Sequence, residues 1–173
     1  MIDIAQKYSE QLKLKIANTI YDLKYMFARA GVTYEYTPEK STWNKHEFVS
    51  MKDSEIIGYI SYNINRNDYS VSGLYIINFT DDKITFGRDL GIILDDIFRK
   101  FNFRKLTFGV YVGNPIEKSY DAAIKKFGGR IIGVEKEASR LLDGKFYDYK
   151  QYEIFREEYI KNKNKVFNKK GEY

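Results

Sequence analysis

This 173-residue sequence predicts an α+β fold, a mixed and mostly antiparallel sheet with helices on both faces. Three observations carry that prediction. Strand-like runs separated by turn chemistry fill residues 45–79. Two apolar stripes at helical spacing follow, at 85–101 and 116–127. An Asp143-Gly144 turn then joins two further strand-like runs in a closing hairpin.

The first element expected is a helix over residues 9–30. Leu12, Ile16, Ile20, Leu23, Phe27 and Ala30 recur at three- and four-residue spacings and draw one stripe. Ser9 can cap its start and Gly31 can end it. Residues 32–45, with Pro38 and Trp43, read as an irregular connection. Short strands are expected at 45–52, 56–64 and 69–79, divided by Asp53-Ser54-Glu55 and Asn65-Arg66-Asn67-Asp68. A second helix over 85–101 turns Leu90, Ile93, Leu94, Ile97, Phe98 and Phe101 inward.

Residues 105–112 alternate as a strand, and Asn114-Pro115-Ile116-Glu117 is a helix start. Asn114 is the cap, Pro115 suits the first helical position, and Glu117 can return a bond to the cap amide. Ile116, Tyr120, Ala123, Ile124 and Phe127 form the buried stripe, and Gly128-Gly129 stop the helix. Strands at about 130–140 and 146–154 complete the sheet, with a last helical turn over 157–161. Residues 1–160 read as a single domain, followed by a Lys/Asn-rich tail at 161–173.

Composition narrows the function classes. Zero cysteines exclude disulfides, thiolate metal sites and a cysteine nucleophile, and fit a reducing cytoplasm. No run reaches the roughly 18 apolar residues of a membrane span, and no secretion signal is read at the start. The net charge of +5 is unevenly placed: the tail carries +4 and residues 1–160 only +1. That balance speaks against nucleic acid as the main partner, although Trp43 and the tyrosines have faces on which bases stack. His46 is the only histidine, so a serine triad or a histidine zinc site lacks parts, and it reads as a strand-end residue. Asp81-Asp82, Asp95-Asp96 and Glu157-Glu158 read as solvated charges rather than metal ligands, and no P-loop is present.

The order of these elements, with Ile57-Gly58-Tyr59, Gly113-Asn114, the run from Lys126 to Val134 and the Asp143-Gly144 closing segment, resembles the GNAT superfamily of acyl-CoA N-acyltransferases. The resemblance covers about 46–160. It implies acetyl (acyl) transfer from acetyl-CoA to a primary amine of a small molecule or a protein, without a metal, in a monomer or homodimer. It also implies that the fourth and fifth strands splay apart. The pantetheine arm would then pair with the backbone of Ile76, Ile77, Asn78 and Phe79, as strand addition by a small molecule.

The resemblance places the pyrophosphate at residues 80–89, where Lys83 and Thr85 stand in the family's usual glycine positions. Lys83, Thr85, Phe86, Gly87 and Arg88 become cofactor candidates, with Arg88 and Lys83 adding charge that Asp81 and Asp82 oppose. Asn114 is a candidate for the pantetheine arm, which helix capping explains equally well, and Lys118 is a candidate for the 3′-phosphate, although an exposed helix lysine usually has no such role. Tyr120 is the candidate general acid, and packing on the apolar stripe is its alternative role. No general base is visible; Glu135 and Glu137 are the nearest candidates, and a solvated strand face accounts for both. Two rivals stand beside the enzyme: a non-catalytic GNAT-like binding module, and an RNA- or ribosome-associated protein that uses the lysine tail.

Overall fold

A computed structural model of the chain describes residues 1–28, 36–40 and 42–168. Its strands form one seven-stranded sheet in the order β1-β2-β3-β4-β5-β7-β6. They are β1 (Ile2–Ile4), β2 (Lys45–Lys52), β3 (Glu55–Asn65), β4 (Ser70–Asn78), β5 (Lys105–Tyr111), β6 (Arg130–Arg140) and β7 (Phe146–Phe155). Every neighbouring pair is antiparallel except β4 and β5, which are parallel. The helices are α1 (Ser9–Ala17), α2 (Lys83–Asp95), α3 (Glu117–Phe127) and α4 (Arg156–Asn168).

The two faces of the sheet have separate cores. On one, Leu12 and Ile16 of α1 pack with Val49, Met51, Tyr59 and Ile77. On the other, Ile93 of α2, Tyr120 and Ile124 of α3 and Tyr159 of α4 pack with Ile60, Tyr62, Leu106, Phe108, Tyr152 and Ile154. Burying each large apolar side chain contributes about 1.5–3 kcal/mol, so both cores hold their helices firmly on the sheet. Strand β3 is central and buried on both faces, so Ile57 and Tyr59 are as enclosed as Ile56 and Ile60.

Several boundaries differ from the sequence reading, each for a local reason. The expected helix over 9–30 ends at Ala17. Thr19 turns its hydroxyl back onto the Ile16 carbonyl at 2.7 Å, and Asp22 accepts the Lys24 amide to start a separate 3₁₀ turn at Leu23–Ala28. Ala30 and the proposed stop at Gly31 lie outside the described residues. Strand β1, too short for periodicity to show, adds an edge to β2.

Helix α2 begins at Lys83 rather than 85, and its last turn, Asp96–Lys100, widens to π geometry. Helix α4 replaces the start of the expected tail and reaches Asn168. Lys163 joins Asp95 and the Tyr159 hydroxyl, and Asn162 donates to the Phe127 carbonyl at 3.3 Å, which ties the helix down. Residues 169–173 lie outside the described residues.

Candidate acyl-transfer site

The feature that sets this site is a gap in the sheet. Strands β4 and β5 pair only at Ser70 with Lys105 and Val71 with Leu106, then diverge. Beyond that point β3 still pairs with β4 through Tyr59–Ile77 and Gly58–Asn78. Phe79 also donates its amide to the Ile57 carbonyl at 2.8 Å. Backbone groups alternate sides along a strand, so Ile77 and Phe79 direct theirs at β3, whereas Ile76 and Asn78 direct theirs into the gap. Of the four expected backbone positions, two face the opening and two belong to the ladder.

The N-terminus of α2 sits where β4 ends. Its position depends on Gly58, above which the Phe86 ring lies so closely that a Cβ would collide with it. The stretch before the helix is held by its own side chains. Asn78 Oδ1 accepts the Thr80 amide at 3.0 Å, and Thr80 Oγ1 accepts the Asp82 amide at 3.2 Å. Asp82 is the cap: its carboxylate accepts the Thr85 amide and the Thr85 hydroxyl, both at 2.9 Å, and Lys52 Nζ at 2.7 Å. Hydrogen bonds from Lys52 and Thr85 hold this carboxyl well below the usual carboxylate range.

Lys83, Thr85, Phe86, Gly87 and Arg88 therefore lie in the first turns of a helix, not in a loop. Lys83, Gly87 and Arg88 are exposed, Thr85 is half-buried and Phe86 is buried. The anion-attracting helix start is present, with one of its amides already taken by Asp82.

On the far side of the gap, α3 follows β5. Asn114 Oδ1 accepts the Ile116 amide at 3.1 Å, which ties the turn ahead of the helix. The cap position itself is Ile116 and has no side-chain cap, so Asn114 does not cap the helix as the sequence predicts. The returning bond from Glu117 falls one residue early, on the Gly113 amide at 3.0 Å, because the regular helix starts at Glu117. Gly128, at φ 84°, closes the helix in the left-handed conformation that favours glycine.

Tyr120 points into the core. Its ring stands edge-on to Phe108 at 5.0 Å and to Tyr152 at 6.0 Å. Burial pushes its hydroxyl pKa up, and the nearby Tyr149 and Tyr152 hydroxyls push the same way. Lys118 is exposed on the outer side of the helix. Glu135 and Glu137 are exposed on β6, two strands away from the gap, which leaves them out of the site. His46, near the start of β2, holds the Tyr62 hydroxyl at 2.6 Å through Nδ1.

The sequence reading passes over one buried carboxylate on the α1 face. Glu47 is 1% exposed, and its oxygens accept Tyr36 Oη at 2.7 Å, Tyr59 Oη at 2.6 Å and the Glu39 amide at 2.6 Å. Lys45 Nζ lies 3.0 Å away. Burial pushes the Glu47 carboxyl up, but the hydrogen bonds from Tyr59, Tyr36, Glu39 and Lys45 prevail and hold it below its ordinary value. A signal was available: Glu47 alternates with Val49 and Met51 on an otherwise apolar strand face.

Sheet order, the β4/β5 splay and the helix start beside it define the fold of the GNAT acyl-CoA N-acyltransferases. A spermidine N-acetyltransferase chimera from Vibrio cholerae and hSSAT has this fold at TM-score 0.68 and 20% identity, over 92% of this chain and 98% of that one. The Vibrio cholerae spermidine/spermine N-acetyltransferase solved with manganese matches at 0.65 and 17%, over 93% and 95%. A further structure, of a protein assigned as an acetyltransferase, matches at 0.55 and 20%; 72% of this chain spans 63% of that one. No family model matches the sequence, and no curated protein does. Among the described residues no helix is long and apolar enough to cross a membrane, and no group of three or more metal-ligating side chains occurs.

Proposed function

We propose that this chain is an N-acyltransferase that moves an acetyl group from acetyl-CoA to the primary amine of an acceptor, acting in the cytoplasm. The observation that carries the reading is the gap past Val71 and Leu106, which leaves the backbone of Ile76 and Asn78 facing an opening between two strands. A pantetheine arm is a chain of amides, and an unpaired strand edge satisfies its donors and acceptors as another strand would. Lys83 and Arg88 would meet the pyrophosphate, Gly87 would let it approach the backbone, and Asn114 and Lys118 would meet the arm and the 3′-phosphate.

In the reaction the neutral amine nitrogen attacks the thioester carbonyl carbon. The new C–N bond forms as the C–S bond breaks, and the leaving thiolate needs a proton. Tyr120 is the proposed donor. Its raised pKa keeps the hydroxyl protonated at neutral pH, which suits an acid and not a base. The proton lost by the amine passes to water.

The absence of cysteine makes the test direct, because a thiol reagent has no protein background. Acetyl-CoA turnover with a panel of amines should release free thiol. No binding of acetyl-CoA or CoA at millimolar concentration by calorimetry would overturn the reading. It would favour the second one, a binding module of the same fold, which the capping of α2 by Asp82 supports.

A further inference from the structure

The end of the sheet opposite the β4/β5 gap gathers cations and aromatic rings in one row. Strands β4 and β5 begin there, β3 and β7 end there, and β2 and β6 begin there. The topology therefore lines up residues that are far apart in sequence. Arg66, in the β3–β4 turn, lies over the Trp43 ring at 3.8 Å and donates from Nε to the Trp43 carbonyl at 2.9 Å. Tyr69 follows in the same turn, and Arg104 binds that turn through its amide to the Tyr69 carbonyl at 2.7 Å. Arg104, Lys105 and Arg130 then surround the Phe155 ring at 5.9, 5.8 and 5.8 Å. Trp43 is 63% exposed and Tyr69 66%.

We propose that this rim binds single-stranded nucleic acid, with phosphates on Arg66, Arg104, Lys105 and Arg130 and bases on Trp43 and Tyr69. Single-strand binders combine a basic track with rings that accept any base, and rings alternating with cations provide both. From β2 to β6 the row crosses five strand spacings of about 4.8 Å, or roughly 24 Å. That suits a site of about four nucleotides, at the small end for such proteins. Lys105 and Arg130 both pair with the buried Glu153, so these three carry a net +1 and Arg66 and Arg104 supply the rest of the charge; Asp68 accepts Asn65 Nδ2 at 2.6 Å. Glu157 and Glu158 on the first turn of α4 stay exposed and mark the limit of the basic row. An acidic peptide would use the cations but make no use of the exposed ring of Tyr69. The near-neutral charge of residues 1–160 hides this row, because its members are contributed by five separate segments. The proposal is independent of acyl transfer.

The only tryptophan of the chain lies in the row, so binding can be read from its emission. The full-length protein is titrated with a labelled oligouridylate of about ten nucleotides, at about 50 and about 200 mM salt. Anisotropy should show salt-sensitive binding, and Trp43 emission should be quenched. Arg66→Gln and Arg104→Gln should each reduce the slope of log affinity against log salt by about 0.7. Trp43→Ala, an exposed change, should weaken binding by roughly 5- to 100-fold. Circular dichroism verifies that each variant is folded. Three outcomes would overturn the proposal: no binding at the lower salt, unchanged binding in the folded variants with loss only on removal of 161–173, or equal competition and quenching by polyglutamate.

Discussion

Asp82 grips Thr85 with both carboxylate oxygens, one on the amide and one on the hydroxyl, each at 2.9 Å. The chain thus places its own anion at the helix start that the proposed reaction needs for a pyrophosphate. Replacing Asp82 by Asn keeps a capping oxygen and removes the charge. The Asp82→Asn protein should bind CoA several-fold more tightly, since a charge at a helix end is worth about 0.3–1 kcal/mol. Calorimetric titration of the two proteins decides it; weaker binding by the variant would mean that the carboxylate assists the ligand.

Tyr120→Phe separates chemistry from packing. The ring that meets Phe108 and Tyr152 is retained, so the melting temperature should be nearly unchanged. Loss of a general acid should lower kcat by about 100-fold or more with little change in KM. If kcat on a working acceptor stays intact, Tyr120 is a packing residue and the leaving thiolate is protonated by water.

The sequence made the architecture legible and the site only in outline. Periodicity located six of the seven strands, because each carries enough alternating residues to register; β1, with three, does not. The helix over 9–30 misled because an apolar stripe continues through Ile20 and Leu23, while the break depends on single hydrogen bonds from Thr19 and Asp22. The same limitation governs the site. The register that exposes Ile76 and Asn78 follows from the divergence of β4 and β5, which no local pattern encodes. The alternation of Glu47 with Val49 and Met51 marks its face, but its partners Tyr36 and Tyr59 lie 11 and 12 residues away and no local pattern names them.

Glu47 should be among the most sensitive positions for stability. Glu47→Gln keeps the shape but removes the charge that faces Lys45 and accepts from two tyrosines. Losing the charge on these hydrogen bonds costs about 1.5–3 kcal/mol, and urea denaturation should show a loss of that order. The pH dependence has a definite sign. The folded pKa of Glu47 lies below its ordinary value, so its contribution is complete above about pH 4.3 and is lost as pH falls through the folded pKa. The wild-type midpoint should therefore drop on the acid side more steeply than that of Glu47→Gln. Parallel curves for the two proteins would exclude Glu47 as a source of the acid sensitivity.

Two glycines beside the gap should respond in opposite ways to alanine, and the comparison tests the pyrophosphate position. At Gly58 a Cβ would meet the Phe86 ring and lie 2.9 Å from the Ile77 carbonyl oxygen. The carbonyl belongs to a paired strand and Phe86 anchors α2, so neither yields freely. Gly58→Ala should cost about 1–3 kcal/mol as overpacking and weaken CoA binding by moving the helix start. At Gly87 a Cβ would meet nothing within 4 Å, and the residue is helical. Gly87→Ala should therefore stabilise the fold by up to about 1 kcal/mol. If the pyrophosphate approaches the backbone there, the same methyl group stands in its way, so the variant should melt higher while binding CoA less tightly. A higher melting temperature with unchanged affinity would place the pyrophosphate away from Gly87, leaving the pairing of the pantetheine arm with Ile76 and Asn78 untouched.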